Sequence, residues 1–390
     1  MFDKSRLSFF VDIPESYVPD NYFCAQLFEH CEVRVNHVSI NNKSSDNDYA
    51  LGTYFLTRMN FDESTLRMTG SLDGYFSCKN YDSAKLLGEQ KSDQESVDSK
   101  FEINVRRANC VRKVIGEKTY YRYFFICRIN AGIAMTSRPL PKDVPIKLVF
   151  YRADASRSLV SIVEDDTEKF PTREIVLQDV TFLACLTQSD YYDRKYAPHR
   201  LTKEALPFLE PLVRRELLMN NISQFKVKVS DGRLPIALGL ALIEPSAFDG
   251  DFNESSVNFK MHGLESVDIQ VDSRSLPGYP LEIQGGLAHQ FYYKFLRECN
   301  FIDNHLSSGP IDATNFTNFN FIVMENFKRK KIYDGQLTVI LKFTKDLTKK
   351  LHLILFPITQ KKISFDEHLN VNVSDMFPDD ADKAENDYND

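Results

Sequence analysis

The sequence predicts an all-β protein built as two tandem β-sandwiches, with short helices in its loops. Three observations carry this. Short apolar runs alternate with period two, as in Val267, Ile269 and Val271 set against Asp268 and Gln270, and that period is the mark of a strand with one buried face. Turn signals (Asp231-Gly232, Pro277-Gly278, Gly285-Gly286, Asp334-Gly335) punctuate the runs, as sandwiches and barrels require. Finally, 390 residues with 43% apolar content, 30 Phe and 18 Tyr are enough to fill two cores of ordinary size.

The elements follow in order. Leu7 to Ile13 reads as a strand ended by Pro14, and Asp20 as the cap of a short helix carrying Phe23, Leu27 and Phe28. Cys31, Val33 and Val35 alternate with Glu32 and Arg34. The phase slips at Asn36-His37 and resumes at Val38 and Ile40. A slip at two residues that tolerate positive φ predicts a two-residue hairpin. Asp48 opens a second helix through Leu51, Tyr54, Phe55 and Arg58, and the polar run Asp82–Lys100 reads as a solvated loop. Strands are expected again at Phe101–Val105 and Tyr120–Ile129. Ile146–Tyr151 is apolar on both faces, as in a strand covered on both sides.

Glu164–Pro171 is charged, ends in proline and lies near mid-chain. It divides the chain into units of 1–165 and 166–374. In the second unit, Glu174–Leu186 is a strand candidate and Thr202–Leu209 a helix candidate. Phe225, Val227 and Val229 alternate, Pro235–Ile243 is an apolar strand, and Ala288–Cys299 reads as a helix. A strand at Asn318–Met324 precedes two that resemble a hairpin, Gln336–Phe343 and Leu351–Pro357. Both are apolar on both faces and therefore central in their sheets. Residues 375–390 form an acidic tail expected to be disordered.

No constellation for chemistry emerges. There is no phosphate-binding glycine loop, no HExxH pair and no GxSxG elbow, and the eight His are dispersed. The seven cysteines (Cys24, Cys31, Cys78, Cys110, Cys127, Cys185, Cys299) form no CxxC pair and read as buried or free thiols. No catalytic, cofactor-binding or metal-ligating residue is therefore assigned. The acidic loop Asp249, Asp251, Asn253, Glu254 lacks the register of a calcium loop and reads as a solvated turn. Lys328–Lys331 is the one basic run, open to phosphate contact or nuclear import, or else an exposed inter-strand loop. A net charge of −7 argues against a body that coats nucleic acid. The apolar run in the first sixteen residues is too short for a signal peptide or a membrane span. The Asn-x-Ser/Thr triplets at Asn42, Asn221, Asn253, Asn315 and Asn372 then imply no glycosylation.

The order of features from Leu234 to Val373 resembles the capsid-like proteins of Maverick/Polinton elements, which are large DNA transposons related to adintoviruses and virophages. The resemblance rests on Leu234-Pro235, then Glu244-Pro245-Ser246-Ala247-Phe248-Asp249-Gly250, then Val257-Asn258-Phe259-Lys260 and the strand Val267–Asp272. Tyr292, Phe295, Leu296, Asn320–Met324 and the closing pair of strands keep the family order. In the first half, Leu27-Phe28, Val33–Asn36 and Ile40 match more thinly. The chain departs from the family at Ser256-Val257, where a proline is usual, and at His37 and Ser273, where a hairpin glycine is usual. The family also carries an arm and a first-sheet strand ahead of the equivalent of Leu7, so a first unit truncated at its N-terminus is expected.

That resemblance implies a double jelly roll and a non-enzymatic, self-assembling capsid protein. Three copies would form a pseudo-hexagonal capsomer within a shell, alongside a possible minor capsid or penton protein. Nucleic-acid contact would be indirect at most, membrane contact absent, and the location a virion or the host nucleus or cytoplasm rather than the exterior. The alternatives are a tandem sandwich that binds carbohydrate or protein through its loops, a domesticated remnant that no longer assembles, or an enzyme with His converging inside one barrel. A short echo links the halves: Cys31-x-Val33-x-Val35-Asn36-His37 and Val267-x-Ile269-x-Val271-Asp272-Ser273 share one pattern.

Overall fold

The computed structural model describes residues 5–41, 48–61, 63–76, 103–132, 144–162, 175–185, 205–283, 288–301, 313–366 and 370–376. The Asp82–Lys100 loop, the Glu164–Pro171 stretch, Gly285-Gly286 and all but the first two residues of the acidic tail lie outside them.

The strands of the first half are β1 (Arg6–Pro14), β2 (Tyr17–Pro19), β3 (Phe28–Val35), β4 (Val38–Ser39), β5 (Cys110–Ile115), β6 (Lys118–Arg128), β7 (Ile146–Arg152), β8 (Leu159–Ser161) and β9 (Leu177–Leu183). Those of the second half are β10 (Leu206–Pro211), β11 (Arg214–Leu218), β12 (Gln224–Ser230), β13 (Ala237–Ile243), β14 (Leu264–Val271), β15 (Arg274–Ser275), β16 (Leu281–Glu282), β17 (Val323–Asn326), β18 (Leu337–Phe343), β19 (Leu351–Phe365) and β20 (Val371–Asp375). Helices are α1 (Phe23–Gln26), α2 (Asp48–Asn60), α3 (Glu63–Thr69), α4 (Pro245–Asp249), α5 (His289–Glu298), α6 (Ala313–Phe319) and α7 (Phe327–Lys330).

Among the described residues each half is built on two main sheets, and β2 and β8 pair as a separate two-stranded sheet in the first. The first half has the order β5-β6-β1-β9 in one sheet and β4-β3-β7 in the other. The second half has β10-β19-β13-β17 and β12-β18-β14-β15. The pairing repeats. β1 lies between β6 and β9 as β13 lies between β17 and β19, and β3 lies between β4 and β7 as β14 lies between β15 and β18. All these pairs are antiparallel, and the matched strands come in the same chain order. The sequence echo falls at matched places. Asn36 and His37 have φ of 46° and 69°, and Asp272 and Ser273 have 50° and 63°. Both pairs make the two-residue turn whose twist suits a hairpin, closing Val35 against Val38 and Val271 against Arg274.

Several expectations are corrected. Asp20 does not cap α1, whose N-cap is Tyr22 in left-handed conformation with no side-chain bond; Asp20 is instead buried. The described part of Phe101–Val105 is helical, over 103–107. The described part of the expected helix at Thr202–Leu209 belongs to strand β10, because Leu206 and Phe208 point inward on alternate positions; the rest lies outside the described residues. Asn318–Met324 is split between the end of α6 and the start of β17. The last two long strands are not a hairpin: β18 and β19 belong to opposite sheets, each central as expected. Ile146–Arg152 is a half-exposed strand whose one neighbour among the described residues is β3. Finally β9 pairs with β1, so the first half's sheet continues beyond residue 165.

The cores interlock. Leu51, Tyr54, Phe55 and Leu56 of α2 lie in the core of the second half. In return, Leu206 and Phe208 of β10 and Ile363 and Phe365 of β19 lie in the core of the first. Burying an aliphatic or aromatic side chain is worth about 1.5–3 kcal/mol, so these eight side chains fasten each half into the other.

Candidate functional site

Among the described residues the features best defined by their geometry are surfaces: the junction between the sandwiches and the faces left open. The junction begins with a stripe of small residues. β13 is buried at all seven positions, and Ala237, Gly239 and Ala241 share one of its faces. Helix α2 lies on that face. The Phe55 ring stacks on Phe356 with centroids 4.6 Å apart, and a Cβ on Gly239 would come within 3.1 Å of both the Phe55 ring and Met324 Sδ. Real Cβ atoms rarely come that close, so glycine is what lets the helix approach.

Polar groups fix the helix in register. The Tyr54 hydroxyl donates to Asn320 Oδ1 at 2.8 Å, and Arg58 Nη2 donates to the same oxygen at 3.1 Å. The Arg58 guanidinium lies 5.5–5.6 Å from the ring centroids of Tyr22, Tyr54 and Tyr75, a cation–π cage that keeps a buried charge solvated by aromatic faces. Burial pushes the Tyr54 hydroxyl up to about 12, so it stays a donor.

A second bridge joins the loop after β2 to the loop before β14. Asp20 Oδ2 accepts from Ser255 Oγ at 2.7 Å and Gln26 Nε2 at 3.0 Å, while Ser256 Oγ donates to Gln26 Oε1 at 2.7 Å. Arg106 Nη1 is 3.9 Å from Asp20 Oδ1, and both side chains are almost wholly buried. Burial raises the Asp20 carboxyl, and Arg106 opposes that rise. Ser256 thus holds a place in the bridge.

The basic run is partly spent inside the second half. Glu325 is fully buried. Its oxygens lie 2.7 Å from Lys294 Nζ and 2.7 Å from Lys330 Nζ, and Lys294 also lies 3.2 Å from Glu298. Arg329 donates to the Arg297 carbonyl at 2.6 Å. Lys330 and Arg329 therefore hold α5 and α7 together, and Lys328 and Lys331 are exposed. The acidic loop closes on itself. Asp251 Oδ1 accepts from the Asn253 backbone N–H at 2.8 Å, Glu254 accepts from Ser246 Oγ at 2.6 Å, and Asp249 lies 3.6 Å from Arg215. His30 is buried beside Tyr151, and His37 is in the hairpin turn. The six described cysteines form no disulfide with one another. Among the described residues no group of three His, Cys, Asp or Glu side chains is placed to hold a metal ion, and no helix is long and apolar enough to cross a membrane.

The open surface is uneven. Among the described residues, thirteen of the sixteen exposed large apolar side chains lie in the first half. On β1 the inward residues Leu7, Phe9, Val11 and Ile13 are buried, and Ser8, Phe10 and Asp12 point the other way. That outer face continues through Phe124 on β6, paired with Phe10, and Val111 on β5, paired with Arg122. Phe124 is 43% exposed and Val111 69%. The sequence offered a signal here: Tyr123, Phe124 and Phe125 put aromatics on both faces of one strand.

No protein-family model matches the sequence, and no curated protein matches it. Solved structures do. The crystal structure of the mavirus major capsid protein aligns over 97% of this chain and 85% of that one, with a TM-score of 0.51 and 10% identity. PBCV-1 VP54, as fitted into a cryo-EM reconstruction of the virophage Sputnik, aligns over 96% and 89%, at 0.53 and 9%. The quasi-atomic model of the PBCV-1 virus capsid gives the same coverage and TM-score at 10% identity. The fold is a double jelly roll. Both halves of the double jelly roll carry the shared pairing described above, and helix α2 of the first jelly roll roofs the outer face of the second. Identity this low speaks for fold alone.

Proposed function

We propose that this double jelly roll is a self-assembling, non-enzymatic major capsid-type protein of Maverick/Polinton kind, three copies of which form a pseudo-hexagonal capsomer. One observation carries the reading: a tandem jelly roll aligned over nearly its whole length with viral major capsid proteins, its halves locked into one body by α2 and β19. Such a body is suited to tiling, because its work is burial of surface against its own copies. The first jelly roll is taken to run through β9 and the second to begin at β10, the crossing lying between residues 185 and 205. Contacts with nucleic acid are indirect at most in this reading, and its place is a virion or the cell that builds one. The family assignment is supported by the ordered residues from Leu234 to Val373.

Light scattering of the purified chain, with negative-stain microscopy, tests it. Trimers or closed shells are the expected result. A single-chain mass at every concentration overturns the proposal, and a sugar-induced rise in melting temperature in that monomer favours the lectin-like alternative.

A further inference from the structure

Strand β20 ends beside the basic run. β10 and β13 take opposite edges of β19, since both pair with Ile358, and β10 and β20 take opposite edges, since both pair with Lys361. β20 and β13 therefore share one edge of β19, end to end, and the last residues of β20 meet the start of β13. The Met376 backbone N–H donates to the Gln360 carbonyl at 3.1 Å, two residues from the Ile358 carbonyl that accepts from Ile236 at 2.8 Å. The Ile236 carbonyl accepts in turn from the backbone N–H of Phe327, the first residue of α7, at 2.9 Å. The chain thus leaves β20 in the lane next to the one that ends in α7, one strand spacing of about 5 Å away.

The charges on the two sides are opposite. Residues 377–390 hold six carboxylates (Asp379, Asp380, Asp382, Glu385, Asp387 and Asp390) against the single Lys383. Facing the end of β20, Lys328 and Lys331 are exposed, and Arg233 Nη1 lies 3.7 Å from Asp375 Oδ2. The carboxylates nearby are mostly engaged: Glu325 with Lys294 and Lys330, and Asp231 with Lys228. Asp334, bridged through its backbone to Arg233, is the acidic group that opposes. One exposed ion pair is weak and is screened by salt. A tether changes the balance. An extended run of this length spans roughly 46 Å, so the contact is intramolecular, with an effective concentration on the order of millimolar.

We propose that Arg233, Lys328 and Lys331 form a site for an acidic peptide, and that its occupant is residues 377–390 of the same chain. The Asp375–Arg233 contact is where the docking starts. Seated there, the acidic segment screens the basic run from phosphate-bearing polyanions, so that Lys328 and Lys331 are withheld from nucleic acid by the chain itself. The inference goes beyond the assembly reading and does not depend on it.

The full chain tests it in two forms, the wild type and a tail-neutral variant in which those six Asp and Glu become Asn and Gln. The probe is a fluorescent peptide of residues 377–390, read by anisotropy at low salt. The tail-neutral chain should bind it about tenfold or more tightly than the wild type, whose own segment competes at high effective concentration. Adding Lys328→Glu and Lys331→Glu to the tail-neutral chain should abolish that gain, as should raised salt, with melting midpoints near-unchanged because both sites are exposed; Lys→Ala replacements serve if the reversals unfold it. A short labelled single-stranded oligonucleotide should follow the same order. Equal peptide binding by the wild-type and tail-neutral chains overturns the proposal, as does full binding by the folded lysine variants. A gap that closes as the wild type is diluted puts the segment on a second copy and overturns the same-chain occupant.

Discussion

The rings of Phe55 and Phe356 stack 12° from parallel, and the two residues belong to different jelly rolls. That contact makes the junction part of a core rather than a hinge. Phe55→Ala should cost about 3–5 kcal/mol, the usual range for removing a buried Phe. Denaturant unfolding read by fluorescence and by circular dichroism should give one coincident transition, in the wild type and the variant alike. Gly239→Val tests the same contact from below and should cost about 1–3 kcal/mol by overpacking.

The buried ion cluster makes a separate prediction. Glu325→Ala leaves Lys294 and Lys330 without the carboxylate between them. Removing one partner of a buried pair costs about 3–5 kcal/mol. Lys330 already sits below its ordinary range because of burial, with Glu325 opposing that shift. Adding Lys294→Met to Glu325→Leu should recover part of the loss, a gain measurable in a double-mutant cycle.

Stability should also fall in mild acid. Burial pushes His262 down to about 4, with Glu244 opposing and Lys349 adding to the shift. The unfolded chain has the ordinary value of 6.5. Between these values the folded state binds fewer protons, so this contribution is intact above pH 6.5 and is lost as pH falls toward 4. The slope is at most about 1.4 kcal/mol per pH unit. His262 has a φ of 49°, so His262→Asn suits the backbone. Melting midpoints between pH 7 and pH 5 should be flatter in that variant.

The paired hairpins allow a test in the other direction. His37→Gly and Ser273→Gly each relieve a left-handed residue in a two-residue turn. Each should raise stability by about 0.5 kcal/mol, relief of strain slightly exceeding the added freedom of the unfolded chain. A lowered denaturation midpoint in both would contradict the turn geometry.

Much of this fold is legible in the sequence because alternation reports which face of a strand is buried. Cys31–Val35 and Val267–Val271 announced strands, and Asn36-His37 a hairpin. Alternation says nothing about which strand is the neighbour. Leu337–Phe343 and Leu351–Pro357 therefore looked like a hairpin, although the chain crosses from one sheet to the other between them. Leu206 and Leu209 fit a helical spacing as well as a strand, and only the core of the first jelly roll decides for β10. The candidate surfaces were hidden for a related reason. Tyr54 and Phe55 were visible as apolar helix residues, but their destination in the other jelly roll depends on Gly239, which no local pattern singles out.

The exchange of core residues has a consequence for synthesis. Ile363 and Phe365 fill the core of the first jelly roll, yet a ribosome makes them long after β1 to β9. The half that emerges first is therefore not the half that can finish folding first. Its core stays open until β19 is made, and until then its apolar strands need shelter from the copies being translated beside it.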